Sequence, residues 1–468
     1  MSKIIKDILN DDLDKIINNE FTIFGWVNTA RIQKNIGFIS LNDGSCFNCL
    51  QIVIDEQNIK NISHIKNITK GITIKATGTI IESPKENQKY EMKCNSNNIK
   101  VFGKLESDKY PMSKGQHSLE FLRQHLHLRV KTNIISAVSR IRSTCSFATH
   151  EFFRNQDFIY VQTPLITGND CEGAGETFTV TNMLKNNIND IPNQNGIIDY
   201  SQDFFGKKSF LTVSGQLHAE SFALGLNKVY TFGPTFRAEN SNTTRHLAEF
   251  WMIEPELCFI NLNELMDLAE KYIKYCIQKV LDTNSDDIEF MNSRSSVLKC
   301  MQLKNITNSK FKKITYTEAV NILKQNYKPD LYPEVEWGDD LSSEQEKYIT
   351  QKMGPTIVYN YPSKIKSFYM KKNEDNKTVQ AMDVLVPGIG ELIGGSIRED
   401  NYDKLIDSVK EKNIDTKSLN WYLELREFGT TPHGGFGLGF ERLIMLITGL
   451  TNIKDCIPFP RSSGNCLL

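Results

Sequence analysis

The residues best suited to chemistry lie between positions 232 and 250, where two strand-like runs flank a polar loop (FGPTFRAENSNTTRHLAEF). Arg237 and Glu239 are two residues apart, so on a strand their side chains share one face. A guanidinium offers a planar fork to a phosphate, and a carboxylate can accept from the exocyclic amine of a base. The ring of Phe250 can stack on a purine. Taken alone, the segment fits either a nucleotide site or a surface ion-pair ladder.

Two further segments suit a ligand in the same way. Residues 434–444 (GGFGLGFERLI) form a glycine-rich strand leading into a helix that carries Arg442 near its start, and the glycines allow close approach to the backbone. Residues 152–164 (FFRNQDFIYVQTP) read as a helix end, a strand and a closing proline. Either segment alone is also typical of an ordinary connection between elements.

Several familiar site patterns are missing from the sequence. It contains no GxxxxGK[ST], no GxGxxG after a strand, no HExxH and no GxSxG. Cys46 and Cys49 form a CxxC without a second pair, and His117, His125 and His127 lie in a basic connector, so we do not predict zinc at either place. If the chain uses ATP, it must hold the nucleotide with arginines and carboxylates.

The elements that position these residues form two groups. Five short strands are predicted at residues 21–28, 37–42, 50–55, 73–82 and 98–103, which fits a closed barrel of the oligonucleotide-binding (OB) type. Beyond them, helices are predicted at 134–155, 262–281 and 317–325, and strands at 209–214, 228–236, 248–259, 356–359, 367–370 and 380–385. The absence of a βαβ rhythm favours a mostly antiparallel sheet.

The prediction is therefore an α+β chain with three parts. Residues 1–107 form a five-stranded OB-fold barrel with a short leading helix, residues 108–132 a hinge, and residues 133–468 a catalytic domain with an antiparallel sheet flanked by helices. Residues 182–208 read as an inserted polar loop.

Composition adds limits on the class of protein. The 468 residues carry 55 Lys plus Arg and 56 Asp plus Glu, a net charge of -1, which excludes a polybasic protein but allows local basic patches. No apolar run reaches the roughly 18–20 residues of a membrane helix, and the first twenty residues show neither a signal nor a transit pattern. Ten scattered cysteines without a secretion signal predict reduced thiols and a cytoplasmic location.

In this order, the three segments resemble the signature motifs of class II aminoacyl-tRNA synthetases. Motif 1 ends at Pro164, motif 2 is FRxE at 236–239, and motif 3 is GxGxxR at 437–442. With the barrel, the chain resembles the aspartyl, asparaginyl and lysyl subgroup. The runs 170–178 (DCEGAGETF), 236–250 and 388–398 (GIGELIGGSIR) are most similar to asparaginyl members of the bacterial type.

The resemblance implies roles in binding ATP and Mg²⁺. Arg237 would bind the α-phosphate and the charge that develops on it, Glu239 would read adenine and Phe250 would stack on it, while Arg245 and Arg442 would bind the β- and γ-phosphates. Arg237 and Arg442 are the implied catalytic residues. Asp383 and Glu391, eight residues apart, match carboxylates that hold Mg²⁺ on ATP.

The resemblance also implies an amino-acid pocket. Its residues would be Glu172, Ser214 and Gln216 at the α-amino end, and Ala219, Glu254 and Arg398 at the side-chain end. Aspartyl enzymes have a lysine where this chain has Ala219, so the partner of a substrate carboxylate is missing, and Glu220 adds negative potential. Glu254 would accept from an amide NH2, which aspartate lacks, or it is a structural carboxylate.

The barrel would read the anticodon of tRNA(Asn). Phe38 matches the ring that stacks on the central base and Gln51 the side chain that reads it, with Arg31 and Lys34 near the backbone. The plainer alternatives are a barrel core residue for Phe38 and an exposed strand residue for Gln51.

The implied function is ATP-dependent ligation of L-asparagine to tRNA(Asn) through an adenylate, by a homodimer that needs no membrane. Three alternatives stay open: an aspartyl enzyme, discriminating or not; an asparagine synthetase on the same fold, which would lack the barrel; and a non-catalytic RNA-binding paralogue, which would typically have lost Arg237, Glu391 or Arg442.

Overall fold

The computed structural model describes residues 2–55, 57, 65–86, 88–103, 105–106, 109–112, 115, 117–169, 177–184, 190–241, 243–294, 300–417 and 419–468. The chain forms two compact units, Met1–Arg140 and Ile141–Leu468, which divide inside the helix Asn133–Asn155. The three-part division suggested by the sequence stays a prediction. None of the described helices is long and apolar enough to cross a membrane.

The first unit is built around the predicted barrel. Its strands are β1 (Glu20–Ile32), β2 (Gly37–Asn42), β3 (Leu50–Ile54), β4 (Thr73–Glu82) and β5 (Tyr90–Phe102), and they close in the order β1-β2-β3-β5-β4. Its described helices are α1 (Ile5–Asn10), α2 (Leu13–Ile16) and α3 (Leu119–Gln124), followed by the start of α4 (Asn133–Asn155). Two short helices thus replace the single leading helix that we predicted.

Strict alternation along the strands makes the barrel. Ile39 and Leu41 of β2 and Ile52 of β3 are fully buried in its core, while the residues between them face outward. The prediction placed the start of β5 at residue 98, but the strand begins at Tyr90. The outward-facing polar residues of this part of β5, such as Lys93, make its buried inward-facing residues hard to recognise as a strand in the sequence.

The second unit contains the rest of α4 and the remaining elements of the chain. Its strands are β6 (Ile159–Tyr160), β7 (Ile166–Thr167), β8 (Thr179–Val180), β9 (Asn193–Gln194), β10 (Ile197–Ile198), β11 (Ser209–Leu211), β12 (Lys228–Phe236), β13 (Glu249–Cys258), β14 (Lys312–Thr315), β15 (Thr356–Pro362), β16 (Thr378–Val386), β17 (Gly390–Ile397) and β18 (His433–Gly439). Its helices are α5 (Gln216–Leu226), α6 (Leu262–Thr283), α7 (Ser285–Arg294), α8 (Cys300–Asn308), α9 (Tyr316–Gln325), α10 (Ser343–Met353), α11 (Tyr402–Glu411), α12 (Asn420–Glu427) and α13 (Phe440–Thr448).

An eight-stranded sheet carries the site. Its order is β14-β15-β16-β17-β18-β13-β12-β6, and only the pairs at the two ends, β14 with β15 and β12 with β6, are parallel. The predicted α+β core with a largely antiparallel sheet is therefore confirmed. Within the predicted loop at 182–208, the described residues include the small hairpin β9–β10, and residues 185–189 lie outside the described part.

One strand prediction in this sheet was wrong. Residues 367–370 form no strand and contribute a single bridge, between Met370 and Arg398. Conversely, β17 was not predicted because glycine has low strand propensity. A Cβ on Gly395 would lie 2.6 Å from the Cβ of Phe436 on β18, so close packing between the strands requires the glycine.

Candidate active site

The hairpin β12–β13 places the residues of the FRxE segment. Arg237 directly follows β12, and its backbone N–H still donates to Ala248 (3.0 Å), which keeps its direction tied to the sheet. Its guanidinium carbon lies 5.4 Å from the centre of the Phe250 ring on β13. Glu239 lies farther out, with one carboxylate oxygen 4.0 Å from Nε2 of His246.

A cavity of about 160 Å³ joins this hairpin to β17, β18 and α13. Among its lining residues are all six side chains predicted to bind ATP: Arg237, Glu239, Arg245, Phe250, Glu391 and Arg442. His246, Leu247 and Leu392 also line it and were not assigned a role from the sequence.

The arginines of the cavity are held by short polar contacts. Arg442, in the first turn of α13, donates through Nη1 to the backbone carbonyl (3.0 Å) and to Oε2 (3.1 Å) of Glu391. Arg245 donates to the carbonyl of Ile389 (2.9 Å). Burial, and next the charge of Arg442, lower the pKa of Arg245. Converging guanidinium groups of this kind provide a binding surface for a polyphosphate.

Two carboxylates meet beside this cavity. A Cβ on Gly394 would lie 2.9 Å from Oε1 of Glu391 and 3.6 Å from Oδ1 of Asp383, so both groups reach the same point. Burial opposes ionisation of Glu391, but Arg442 and Lys366 outweigh it and lower the pKa. The described residues contain no group of three or more His, Cys, Asp or Glu side chains that could hold a metal ion.

Two residues next to these carboxylates were not predicted from the sequence. Nζ of Lys366 donates to Oδ2 of Asp383 (2.6 Å), and Oε2 of Glu346 accepts from the backbone N–H of Glu391 (3.0 Å). Both come from outside the strands that carry Asp383 and Glu391, so packing rather than a local motif brings them there.

The predicted amino-acid pocket begins at the turn before α5. Ser214 Oγ donates to one oxygen of Glu254, while the N–H of Gly215 and the hydroxyl of Thr231 donate to the other, each at 3.0 Å. Both oxygens of Glu254 therefore have protein donors, and the carboxylate fixes the turn that presents Gln216. Gln216 Nε2 donates in turn to Glu220 (3.1 Å).

Arg398 is buried and paired with a residue that we did not predict. It donates through Nε (3.2 Å) and Nη2 to the two oxygens of Glu256, and through Nη1 to Ser396 (2.7 Å). Although burial opposes its charge, Glu256 and Glu220 raise the pKa of Arg398, so it stays a cation. Glu256 could have been predicted as a pocket residue, because it follows Glu254 by two residues and its side chain therefore lies on the same face of β13.

Glu220 lies at the centre of a second buried cluster. Its Oε2 contacts Arg426 Nη2 (2.9 Å), the Tyr422 hydroxyl (2.7 Å) and His433 Nε2 (3.1 Å), and Arg398 Nε lies 3.8 Å from Oε1. Burial opposes ionisation, but Arg426 and His433 lower the pKa of Glu220. The negative potential that the sequence suggested is therefore partly offset by Arg426.

The pocket nevertheless carries an excess of acidic groups around Arg398. Burial, and then the charge of Glu220, raise the pKa of Glu256 to about 8 against the opposing effect of Arg398, with Glu254 acting in the same direction as Glu220. A further carboxylate placed here would meet the same burial and the same acidic neighbours.

Of the two remaining predicted pocket residues, Ala219 and Glu172, the structure describes only Ala219. Ala219 is fully buried in an apolar cluster with Val161, Ala223 and Val229, so no cation stands at this position. Glu172 lies outside the described residues.

The face of β13 links the two ends of the site. Phe250, Glu254 and Glu256 are separated by even numbers of residues, so their side chains lie on one face of the strand. The nucleotide cavity and the pocket around Arg398 therefore lie along the same face of the sheet.

In the first unit, the three residues predicted to contact an anticodon face outward on adjacent strands. Phe38 of β2 pairs across the ladder with Arg31 of β1, and Ser40 pairs with Gln51 of β3. The inward positions of β2 are its neighbours Ile39 and Leu41, so Phe38 is a half-buried surface residue and not part of the barrel core. Lys85 Nζ lies 6.0 Å from its ring centre.

Comparison with known proteins agrees with this arrangement. Residues 118–463 match the family described as tRNA synthetases class II (D, K and N), and residues 21–110 match the OB-fold nucleic acid binding domain. The asparagine–tRNA ligase of Clostridium tetani is 50% identical over 99% of both chains.

Solved structures of similar shape come from the same group of enzymes. The asparaginyl-tRNA synthetase of Pyrococcus horikoshii in complex with asparaginyl-adenylate has a TM-score of 0.85, 29% identity, and coverage of 100% of this chain and 99% of that one. The corresponding enzyme of Entamoeba histolytica, also with asparaginyl-adenylate, has a TM-score of 0.82, 26% identity and the same coverage. The chain therefore belongs to the class II tRNA synthetases of the D, K and N group, and within it to the family of the asparagine–tRNA ligases.

Proposed function

We propose that the chain ligates L-asparagine to tRNA(Asn) in two steps. The asparagine carboxylate attacks the α-phosphorus of ATP in line, which forms asparaginyl-adenylate and releases pyrophosphate. The terminal adenosine of the tRNA then attacks the acyl carbon through its 3′-OH and releases AMP. The observation that carries the proposal is the convergence of Arg237, Arg245 and Arg442 in one cavity, with the Arg398 pocket on the same face of the sheet.

Neither step requires a protein nucleophile. Arg237 stabilises the charge that develops on the α-phosphate, Phe250 stacks on adenine, and Glu239 accepts from its amine. Arg245 and Arg442 bind the β- and γ-phosphates. Catalysis then comes from positioning and from preorganised charge, which are the usual sources of rate in such transfers.

The carboxylate pair suits Mg²⁺ on the nucleotide. Mg²⁺ is commonly held by one or two protein carboxylates together with substrate phosphates and water, and Asp383 and Glu391 reach one point beside the cavity. The ion would supply neutralisation of phosphate charge. Lys366 holds Asp383 in place by its 2.6 Å contact.

Selection of asparagine over aspartate follows from the charge around Arg398. Burial, and next the charges of Glu220 and Glu254, raise the pKa of Glu256 to about 8, and the same burial and acidic neighbours oppose a side-chain carboxylate but not a neutral amide. Arg398 donates to the amide oxygen, Ala219 contributes no ammonium, and Ser214, Gln216 and Glu172 would hold the α-amino end. Glu254 either accepts from the amide NH2 or keeps Ser214 and Gly215 in place, and its existing hydrogen bonds favour the second role.

Two features support the expected homodimer and one supports the expected compartment. β6 is an edge strand of the sheet, and its Ile159 and Tyr160 are exposed apolar residues within the motif 1 segment. The described cysteines carry no disulfide, which is typical of a reducing cytoplasm.

A pyrophosphate-exchange assay with asparagine, aspartate and lysine in parallel tests the function. We expect exchange with asparagine alone, and a loss of about 10²-fold or more in Arg237→Ala, the scale of losing one preorganised donor. Arg294→Ala, at an exposed position on α7, serves as the matched control. Comparable exchange with aspartate would favour the aspartyl alternative, and near-normal exchange in folded Arg237→Ala would remove the role of that residue.

A further inference from the structure

A second exposed aromatic cluster lies on the barrel, away from Phe38 and Gln51. Within the described part of residues 1–140, the aromatic side chains that are clearly exposed are Phe24 (46%), Trp26 (46%) and Phe102 (40%). Phe24 and Trp26 are two apart on β1, so they share one face. We call these three rings, with Lys75 and Lys100, the aromatic stripe.

The strand register places the stripe across three neighbouring strands. Phe24 pairs with Lys75 of β4, and Lys75 pairs with Lys100 of β5. Trp26 pairs with Thr73, which pairs in turn with Phe102. The rings of Phe24 and Phe102 stack at a centroid distance of 6.4 Å with 25° between their planes.

The cations of the stripe lie against its rings. Lys75 Nζ is 6.0 Å from the ring centre of Phe24, and Lys100 Nζ is 5.4 Å from that of Phe102. On β1 and β4 the outward positions next to these residues are threonines, at 22, 73 and 77, and the nearest outward carboxylate along β1 is Glu20 at the start of the strand. Such a face combines positive charge with flat apolar surface.

This chemistry identifies the occupant as a single strand of RNA. Exposed rings stack on bases whatever the sequence, and lysines beside them contact the backbone phosphates. In the closed order β1-β2-β3-β5-β4, the stripe uses β4, β5 and the first half of β1, whereas Phe38 and Gln51 lie on β2 and β3 on the other side of β1. The rings and lysines of the stripe therefore lie on other strands, or another part of β1, than the predicted anticodon residues.

We propose that the aromatic stripe is a second RNA-binding surface, which takes a single-stranded segment separate from the anticodon loop. The proposal stands on the barrel alone and does not depend on the catalytic assignment. Against a second copy of the chain as the occupant, two lysine-bearing faces would repel each other on pairing.

The test uses the full chain with Phe38→Ala, so that the predicted anticodon face contributes little. Binding of a fluorescein-labelled 12-nucleotide oligouridylate is followed by anisotropy at several salt concentrations. We expect Phe24→Ala/Phe102→Ala in this background to weaken binding about tenfold or more, since each stacked base is lost with its ring. Lys75→Ala/Lys100→Ala should reduce the slope of log K against log salt by about 1.4, the value for two phosphate contacts on a single strand.

Controls separate this role from folding and from protein contacts. Pyrophosphate exchange with asparagine should be the same in the two double-substituted proteins as in their Phe38→Ala parent, because none of the four stripe residues lines the nucleotide cavity. Unaltered oligouridylate affinity in the Phe24→Ala/Phe102→Ala variant would overturn the proposal. So would a change in oligomeric state in that variant by analytical ultracentrifugation, which would mark the stripe as a protein interface instead.

Discussion

Replacing Arg426 by methionine should reveal how strongly the buried Glu220 cluster supports the amino-acid pocket. Arg426 and Glu220 are both without exposed side-chain surface, with Nη2 and Oε2 at 2.9 Å. Removing one partner of a buried pair leaves an uncompensated charge, which typically costs about 3–5 kcal/mol. For a unit of this size, the expected fall in Tm is roughly 10 °C. Arg294→Met, at an exposed position on α7, should stay within about 0.5 kcal/mol of the parent.

The double variant Glu220→Gln/Arg426→Met tests whether the uncompensated charge of Glu220 causes the loss of stability in Arg426→Met. If the penalty of Arg426→Met is the stranded charge of Glu220, neutralising Glu220 should recover much of it, and the two free energies of unfolding should not add. Urea unfolding of the four proteins of the cycle measures this. Additive penalties, or a cost below about 1 kcal/mol for Arg426→Met, would show that the pair does not act as described.

The pH dependence of the same variant has a definite sign. The pKa of Glu220 is lowered in the folded protein, so its stabilising contribution is complete above the ordinary carboxylate range and is lost as the pH falls through the lowered value. In Arg426→Met, Glu220 loses its main cationic partner. Protonation of Glu220 at lower pH then removes its uncompensated charge and so reduces the loss in the free energy of unfolding. The difference between parent and variant should therefore shrink from pH 7 to pH 4.5. Because Glu220 also holds Gln216, the KM for asparagine should rise in the variant while that for ATP stays near the parent value.

The remaining predictions concern a glycine of β18 and the anticodon face. A Cβ on Gly435 would overlap the Glu256 carboxylate and the Pro255 carbonyl, so Gly435→Ala should displace the partner of Arg398 and reduce asparagine-dependent exchange at least about tenfold, the scale of misplacing one preorganised contact. Gly233→Ala on β12, where no atom lies within 4 Å of the new Cβ, should leave exchange unchanged, and equal rates in the two variants would contradict the packing argument. Phe38→Ala should reduce aminoacylation of tRNA(Asn) about tenfold or more through the lost stacking, with pyrophosphate exchange unchanged, and an equal loss in both assays would argue against an anticodon role.

Local patterns predicted the parts of the site that lie on a single strand or turn. Arg237, Glu239 and Phe250 follow from one hairpin and one ligand-like set of side chains, and Arg442 follows from a glycine-rich strand before a helix. Runs of β-branched and aromatic residues bounded by turn residues predicted β2 and β4 with their observed limits, 37–42 and 73–82.

What the sequence did not predict depends on contacts between distant segments. Glu220 meets Arg426 and His433 across more than two hundred positions of the chain, and Lys366 reaches Asp383 from outside its strand. β17 was not predicted because glycine has a low strand propensity and usually indicates the end of a strand. Here the glycines are required for close packing against β18. In each case the contact depends on which residue of another segment packs against the side chain, and tertiary structure determines that residue.

The packing of Ala219 bears on how substrate preference can change during evolution. Its methyl group fills space among Val161, Ala223 and Val229 beneath α5, so a lysine introduced there would first bury an ammonium in aliphatic surroundings. Any lineage moving toward an acidic amino acid must therefore remodel that layer of the protein before the new cation is tolerated. A change of specificity at this position therefore requires several substitutions together, and a single exchange of Ala219 for lysine would cost stability.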